Sequence, residues 1–137
     1  MAKTPVTLKV DGYKEREVAA ITYSFSQATD KEGQTTGIPR GGKIVIKVKA
    51  MNDGNCELLS WMTEKSLSKD GCIEFMNSSD TSKKMKEVQF KGAYCVDFVE
   101  HWEDPQGGSV GLAHWEEITI TCKEITNQSV TYENQWL

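Results

Sequence analysis

The chain has 137 residues, 38% of them hydrophobic and 26% charged, a balance that supplies one compact domain with a real core and argues against disorder. A formal charge of -4 and a pI near 5.2 leave no basic face for DNA or RNA, because the lysines are scattered among acids instead of forming a stripe. The start "MAKTPVTLKV" has no signal-peptide core and no apolar run reaches bilayer length, so the chain is expected to fold in the cytoplasm without membrane insertion.

Residues 6–10, "VTLKV", alternate as a strand does, Asp11-Gly12 forms a hairpin-type turn, and 17–26, "EVAAITYSFS", reads as the returning strand. Residues 27–42 are polar and glycine-bearing, which is long for a connection in so small a domain. From Lys43, "KIVIKVKA" sets Ile44, Ile46, Val48 and Ala50 on one face against Lys47 and Lys49. One helix is predicted at about 56–67, capped by Asn55, with Glu57 in its first turn. Its packing stripe is Leu58, Leu59 and Met62, and Trp61 lies at the edge of that stripe.

Strands resume at 71–77, 86–102 and 114–126. In the long middle segment Val88, Phe90, Tyr94, Val96 and Phe98 keep one parity across Gly92, which predicts a bend or a split at that glycine. In the last, Ile118, Ile120 and Cys122 alternate with threonines and Lys123. The architecture this implies is mainly β: a single domain over 1–137, an antiparallel β-barrel of two packed sheets with one helix on it, and a tail at 127–137.

No pattern for catalysis emerges. Cys56, Cys72, Cys95 and Cys122 have no zinc-type spacing and read as small buried hydrophobes, with a disulfide as the minor option. His101 and His114 stand beside tryptophans and near Glu100, Glu103 and Glu116, but no third ligand or nucleophile motif accompanies them. The carboxylates read as solvated faces, and Glu116 and Glu117 fall on opposite sides of one strand. The stretch 37–44, "GIPRGGKI", fails as a phosphate loop, since the residue after the lysine is wrong and the segment leads into a strand. Its glycines are expected at φ > 0, with Pro39 holding Ile38 extended. No catalytic residue, cofactor or metal ligand is therefore assigned.

The series "YSFSQATD…RGGKIVIKV…ELLSWM…KDGCIEF…KEVQFKGAYCVDF…ITITCKEI…YENQW" resembles the TssD (Hcp, haemolysin-coregulated protein) tube proteins of type VI secretion systems, in a divergent branch, over almost the whole chain. The resemblance implies a barrel flanked by one helix and six copies in a ring, with rings stacked into a tube that a contractile sheath expels. It also implies effectors and a spike protein as partners, and export from the cytoplasm by the secretion machinery without a signal peptide. Thr36, Gly37, Ile38, Pro39, Arg40, Gly41 and Gly42 then become an assembly loop, and Tyr132 and Trp136 tail contacts.

The alternative is a monomeric barrel that binds a small ligand inside, in a cavity lined by Tyr23, Phe25, Tyr94 and Phe98.

Overall fold

A computed structural model describes residues 6–37, 41–51, 53–76, 84–104 and 113–134. In chain order they form β1 (Val6–Val10), β2 (Arg16–Tyr23), β3 (Lys43–Lys49), α1 (Glu57–Thr63), β4 (Ser68–Met76), β5 (Lys84–Trp102), β6 (His114–Thr121), β7 (Glu124–Asn127) and β8 (Val130–Glu133). Every pairing is antiparallel, in the order β4-β1-β2-β3-β6-β5-β7-β8, and β4 also pairs with β5 to close the barrel. One wall is β2-β3-β6 with the C-terminal half of β5; the other is β1-β4 with the N-terminal half of β5 and the β7–β8 hairpin.

The alternation expected of β3 is realised: Ile44, Ile46 and Val48 have no exposed surface, and each faces across the barrel toward residues such as Leu8, Ile73 and Val88. Ile118, Ile120 and Cys122 are likewise fully buried. Side chains fill the centre, as they do in small barrels. That filling argues against an internal ligand cavity. Phe25 is 42% exposed beyond the end of β2, and Tyr23, Tyr94 and Phe98 are only partly buried.

β5 does bend at Gly92, where φ is +60°, but the inward parity does not run through it. Val88 and Phe90 point inward before the glycine, Ala93 and Cys95 after it, and Phe98 packs on the core beyond a second irregularity between Cys95 and Asp97. Two local shifts, each adding a residue to one strand, flip the period twice. Tyr94 is therefore half-buried and Val96 is 41% exposed, contrary to the single stripe expected from sequence.

The helix is shorter than predicted, ending at Thr63 because Glu64 is extended and Ser66 takes φ +60°. Asn55 supports its start: its Oδ1 accepts the Glu57 N–H at 3.1 Å and its Nδ2 donates to Glu57 Oε1 at 2.8 Å. The same carboxylate accepts the Lys14 N–H at 3.0 Å, tying α1 to the β1–β2 turn. The packing face is Leu58 and Trp61, both 1% exposed, whereas Leu59 is 41% exposed. Trp61 is thus the anchor, donating Nε1–H to the Leu67 carbonyl at 3.0 Å and meeting Tyr13 edge-on. A seven-residue helix has room for one buried pair three residues apart, so Leu59 turns outward.

Among the described residues, a charged pair lies inside. Arg16 and Glu116, 3% and 4% exposed, form an ion pair at 2.5 Å, and Arg16 Nη2 also donates to the Lys49 carbonyl at 3.0 Å. Glu116 is therefore not a solvated face. Glu117, its neighbour on the opposite side of β6, keeps partial exposure.

Candidate assembly surface

Between β2 and β3 the chain leaves the barrel as an arm. Thr29 and Thr35 pair across it, Thr36 N–H donates to the Ala28 carbonyl at 2.8 Å, and Asp30 N–H donates to that of Gln34 at 2.8 Å. Asp30 Oδ1 accepts the N–H groups of Glu32 and Gln34, each at 3.0 Å, and Gly33 at φ +87° completes the turn. This side-chain-closed turn needs an Asp at its head and a glycine near its end, which the stretch "TDKEGQT" provides. The long polar loop is therefore ordered in part as a small hairpin.

The base of the arm is clasped to β8. Gly41 N–H donates to the Tyr132 hydroxyl at 3.1 Å, that hydroxyl donates to Asn134 Oδ1 at 2.8 Å, and Asn134 Nδ2 reaches the carbonyls of Cys122 at 2.7 Å and Gly41 at 3.3 Å. Cys122 N–H donates to the Gly42 carbonyl at 2.6 Å. The glycine pair has two separate duties here. A Cβ on Gly41 would overlap the Phe25 ring, which itself lies against Tyr132 with centroids 4.9 Å apart. Gly42 takes φ +91°, and a Cβ there would meet Asn134 and the Cys122 carbonyl. Only Gly42 has the positive φ expected of both; Gly41 is required for close approach.

Beside the clasp runs a groove of about 620 Å³ between Phe25 and the β7–β8 hairpin, lined among others by Ile125, Val130 and Tyr132. β8 is the last strand of the sheet order, and its outer edge is unpaired among the described residues. Of the sequence-assigned loop residues, Thr36 and Gly37 lie on the returning limb of the arm, while Gly41, Gly42 and the tail residue Tyr132 meet in the clasp. Ile38, Pro39, Arg40 and Trp136 lie outside the described residues. Asn134 was not assigned from sequence, and Phe25 was assigned only to the cavity of the ligand-binding alternative. An asparagine following an alternating aromatic strand carries no signal of its partners, which come from residues far apart in the chain.

The groups that could carry chemistry are elsewhere. His114 Nε2 lies 2.9 Å from Glu100 Oε2 and His101 Nε2 3.9 Å from Glu103 Oε2, on the outer part of the β5–β6 ribbon. Burial pushes the Cys95 thiol up to about 11 and the Cys122 thiol to about 12, which leaves both protonated. Two cysteines depart from the buried reading: Cys56 is exposed and Cys72 half-buried. All four thiols are free. Cys72, Glu74 and Glu87 bring three donor atoms within 4.8 Å of one another on the outer face of β4 and β5. Their carboxylates are already engaged, Glu74 by Lys9 and Lys84 and Glu87 by Lys84.

Comparison with known proteins gives a family match to Hemolysin coregulated protein Hcp (TssD) across residues 2–137. The chain belongs to the Hcp (TssD) family. Its fold is similar to that of Hcp1 from Flavobacterium johnsoniae, at 28% identity and a TM-score of 0.84, covering 95% of this chain and 99% of that one. Hcp1 from E. coli EAEC 042 aligns at 14% identity and a TM-score of 0.73 over 98% of this chain and 100% of its own. A chain of the sheath-tube complex of a PVC extracellular contractile injection system shares the fold at 18% identity and a TM-score of 0.60, covering 91% and 88%. No curated protein matches. Among the described residues of this Hcp-family chain, no helix is long and apolar enough to cross a membrane.

Proposed function

We propose that the chain, as a single domain over 1–137, is a structural tube subunit of a type VI secretion system, with no catalytic step and no cofactor. Six copies close into a ring, rings stack into the inner tube, and the tube carries effectors and meets a spike and a sheath. It is made in the cytoplasm and leaves the cell through the secretion machinery. The family match over residues 2–137 carries this reading. The number six and the partners rest on the family resemblance alone; the clasped arm and the neighbouring groove support the reading with a surface that a small monomer has little reason to keep.

A ring needs a heterologous interface whose rotation closes, and a tube needs a second contact between rings. The arm, held at its base by Gly41 and Tyr132, is suited to the second. Electron microscopy of the purified protein should show rings with a central hole, and gel filtration should place them far above the 15.4 kDa monomer. Gly41→Val, by expelling Phe25, should free the arm and leave single rings that stack poorly. A protein that stays monomeric at every concentration would overturn the tube reading.

A further inference from the structure

The β7–β8 hairpin and the arm both lie outside the closed barrel. Pairing of β4 with β5 closes the barrel without them, β7 joins it by pairing with β5, and among the described residues β8 pairs with β7 alone. Of β8, Val130, Thr131 and Glu133 are exposed and Tyr132 is half-buried. Residues 24–37 of the arm are exposed throughout, and the hydrogen bonds described within it, Thr36 to Ala28 and Asp30 to Gln34, are internal. Each element buries too little surface to offset the entropy of holding its place alone.

What each has is the other. Phe25 belongs to the outgoing root of the arm, Gly41 and Gly42 to the returning root, and both roots press on β8. The Phe25 ring lies against Tyr132 and leaves no space for a Cβ on Gly41. The Tyr132 hydroxyl accepts the Gly41 N–H and donates to Asn134, whose Nδ2 returns to the Gly41 and Cys122 carbonyls. Tyr23, at the end of β2, accepts a hydrogen bond from the Asn127 side chain of β7. On either side of this clasp stands one backbone bond that the ring contacts do not touch: Asn134 N–H to the Lys123 carbonyl at 2.7 Å on the hairpin side, and Cys122 N–H to the Gly42 carbonyl at 2.6 Å on the arm side.

We infer that β8 and the two roots of the arm open and close as one unit, apart from the barrel. Coupling of this kind is reciprocal. Whatever pins the arm holds β8 on β7, and whatever draws β8 away releases the arm. Resting on the tube reading above, the pinning partner is the next ring, and the C-terminal hairpin is the element through which stacking is loosened while each barrel stays folded.

The test is amide hydrogen exchange on the full chain, diluted below the concentration at which rings stack and read across the clasp from each change. Phe25→Ala removes the ring at the arm root and should speed exchange of the Asn134 backbone amide, whose bond goes to Lys123 and not to the arm, about tenfold. Tyr132→Phe keeps the ring and removes the hydroxyl bridge, and it should speed the Cys122 amide, bonded to Gly42, by a similar factor. Amides in the middle of β3 and β6, at Ile46 and Ile118, should exchange at the parent's rate in both variants. Acceleration confined to the altered side of the clasp, or an equal acceleration at Ile46 and Ile118, overturns the inference. Stacking is read separately, by sedimentation of the parent at high concentration. A parent that forms no rings there defeats the tube reading, while the exchange rates still decide the coupling.

Discussion

Two clusters of glutamates and basic residues sit in this barrel, one sealed and one open, and they differ in what holds them. Inside, Glu116 is paired with Arg16, with both residues 4% exposed or less. Outside, Glu74 and Glu87 stand directly opposite each other on β4 and β5, and Lys84 bridges them at 2.9 and 2.8 Å while Lys9 reaches Glu74 at 2.8 Å. The outer cluster solves a like-charge cross-strand pairing with mobile lysine stems in water. The inner one has lost its water, so each member depends on the other. Arg16 Nε and Nη1 have no hydrogen-bond partner among the described residues, which adds to the cost of keeping the guanidinium inside. Burial, more than the number of contacts, decides how much each cluster matters.

The largest effect should come from breaking the inner pair. Glu116→Ala leaves Arg16 charged and buried and should destabilise the fold by about 3–5 kcal/mol, read as a lower denaturant midpoint at unchanged slope. The double variant Arg16→Met/Glu116→Leu removes the charge along with its partner and should recover most of that loss. A single variant as stable as the parent would mean that water reaches Arg16 and that the comparison between sealed and open clusters fails.

Next comes the helix, where the same contrast holds for apolar groups. Trp61→Ala should cost about 3–5 kcal/mol, while Leu59→Ala, two residues earlier and facing solvent, should stay within about 0.5 kcal/mol. Thermal melts of the pair check the assignment, and equal losses would contradict the helix phase described above.

These two sites also show where sequence was informative. The β3 and β6 alternations were legible because a strand buried on one face must repeat every second residue, and Ile44, Ile46, Ile118 and Ile120 do so without interruption. The β5 pattern misled because Gly92 and the irregularity after Cys95 shift the period, and neither shift changes which residue types appear. The helix phase was misread because a seven-residue helix offers too few apolar positions to separate Leu59 from Trp61 by spacing. Glu116 looked like any surface acid, since its partner lies a hundred positions away. For the assembly surface, sequence located the long loop and the glycine pair. The clasp through Phe25 and Asn134 depends on strands that only the closed sheet brings together.

The smallest effect belongs to the outer cluster, and it should be seen only through pH. Hydrogen bonds from Lys9 and then Lys84 lower the Glu74 carboxyl from its ordinary value of 4.5 to about 2. Glu87 is lowered as well, chiefly by Lys84, and Lys84 is raised in return, chiefly by Glu87. A carboxylate with a depressed folded-state pKa contributes stability that is fully present above 4.5 and is lost as pH falls through the interval toward 2. The raised lysines contribute fully below 10.5 and lose their share only as pH climbs beyond it. Glu74→Gln should therefore change stability little near neutrality, where solvent screens the lysines, yet flatten the parent's decline on the acid side. Urea midpoints followed across that acid window would show two curves converging as pH drops. Added salt should shrink the gap, because the lysine stems are exposed. Parallel curves, with no convergence, would show that Glu74 titrates like a free carboxylate and that the lysines only lie near it.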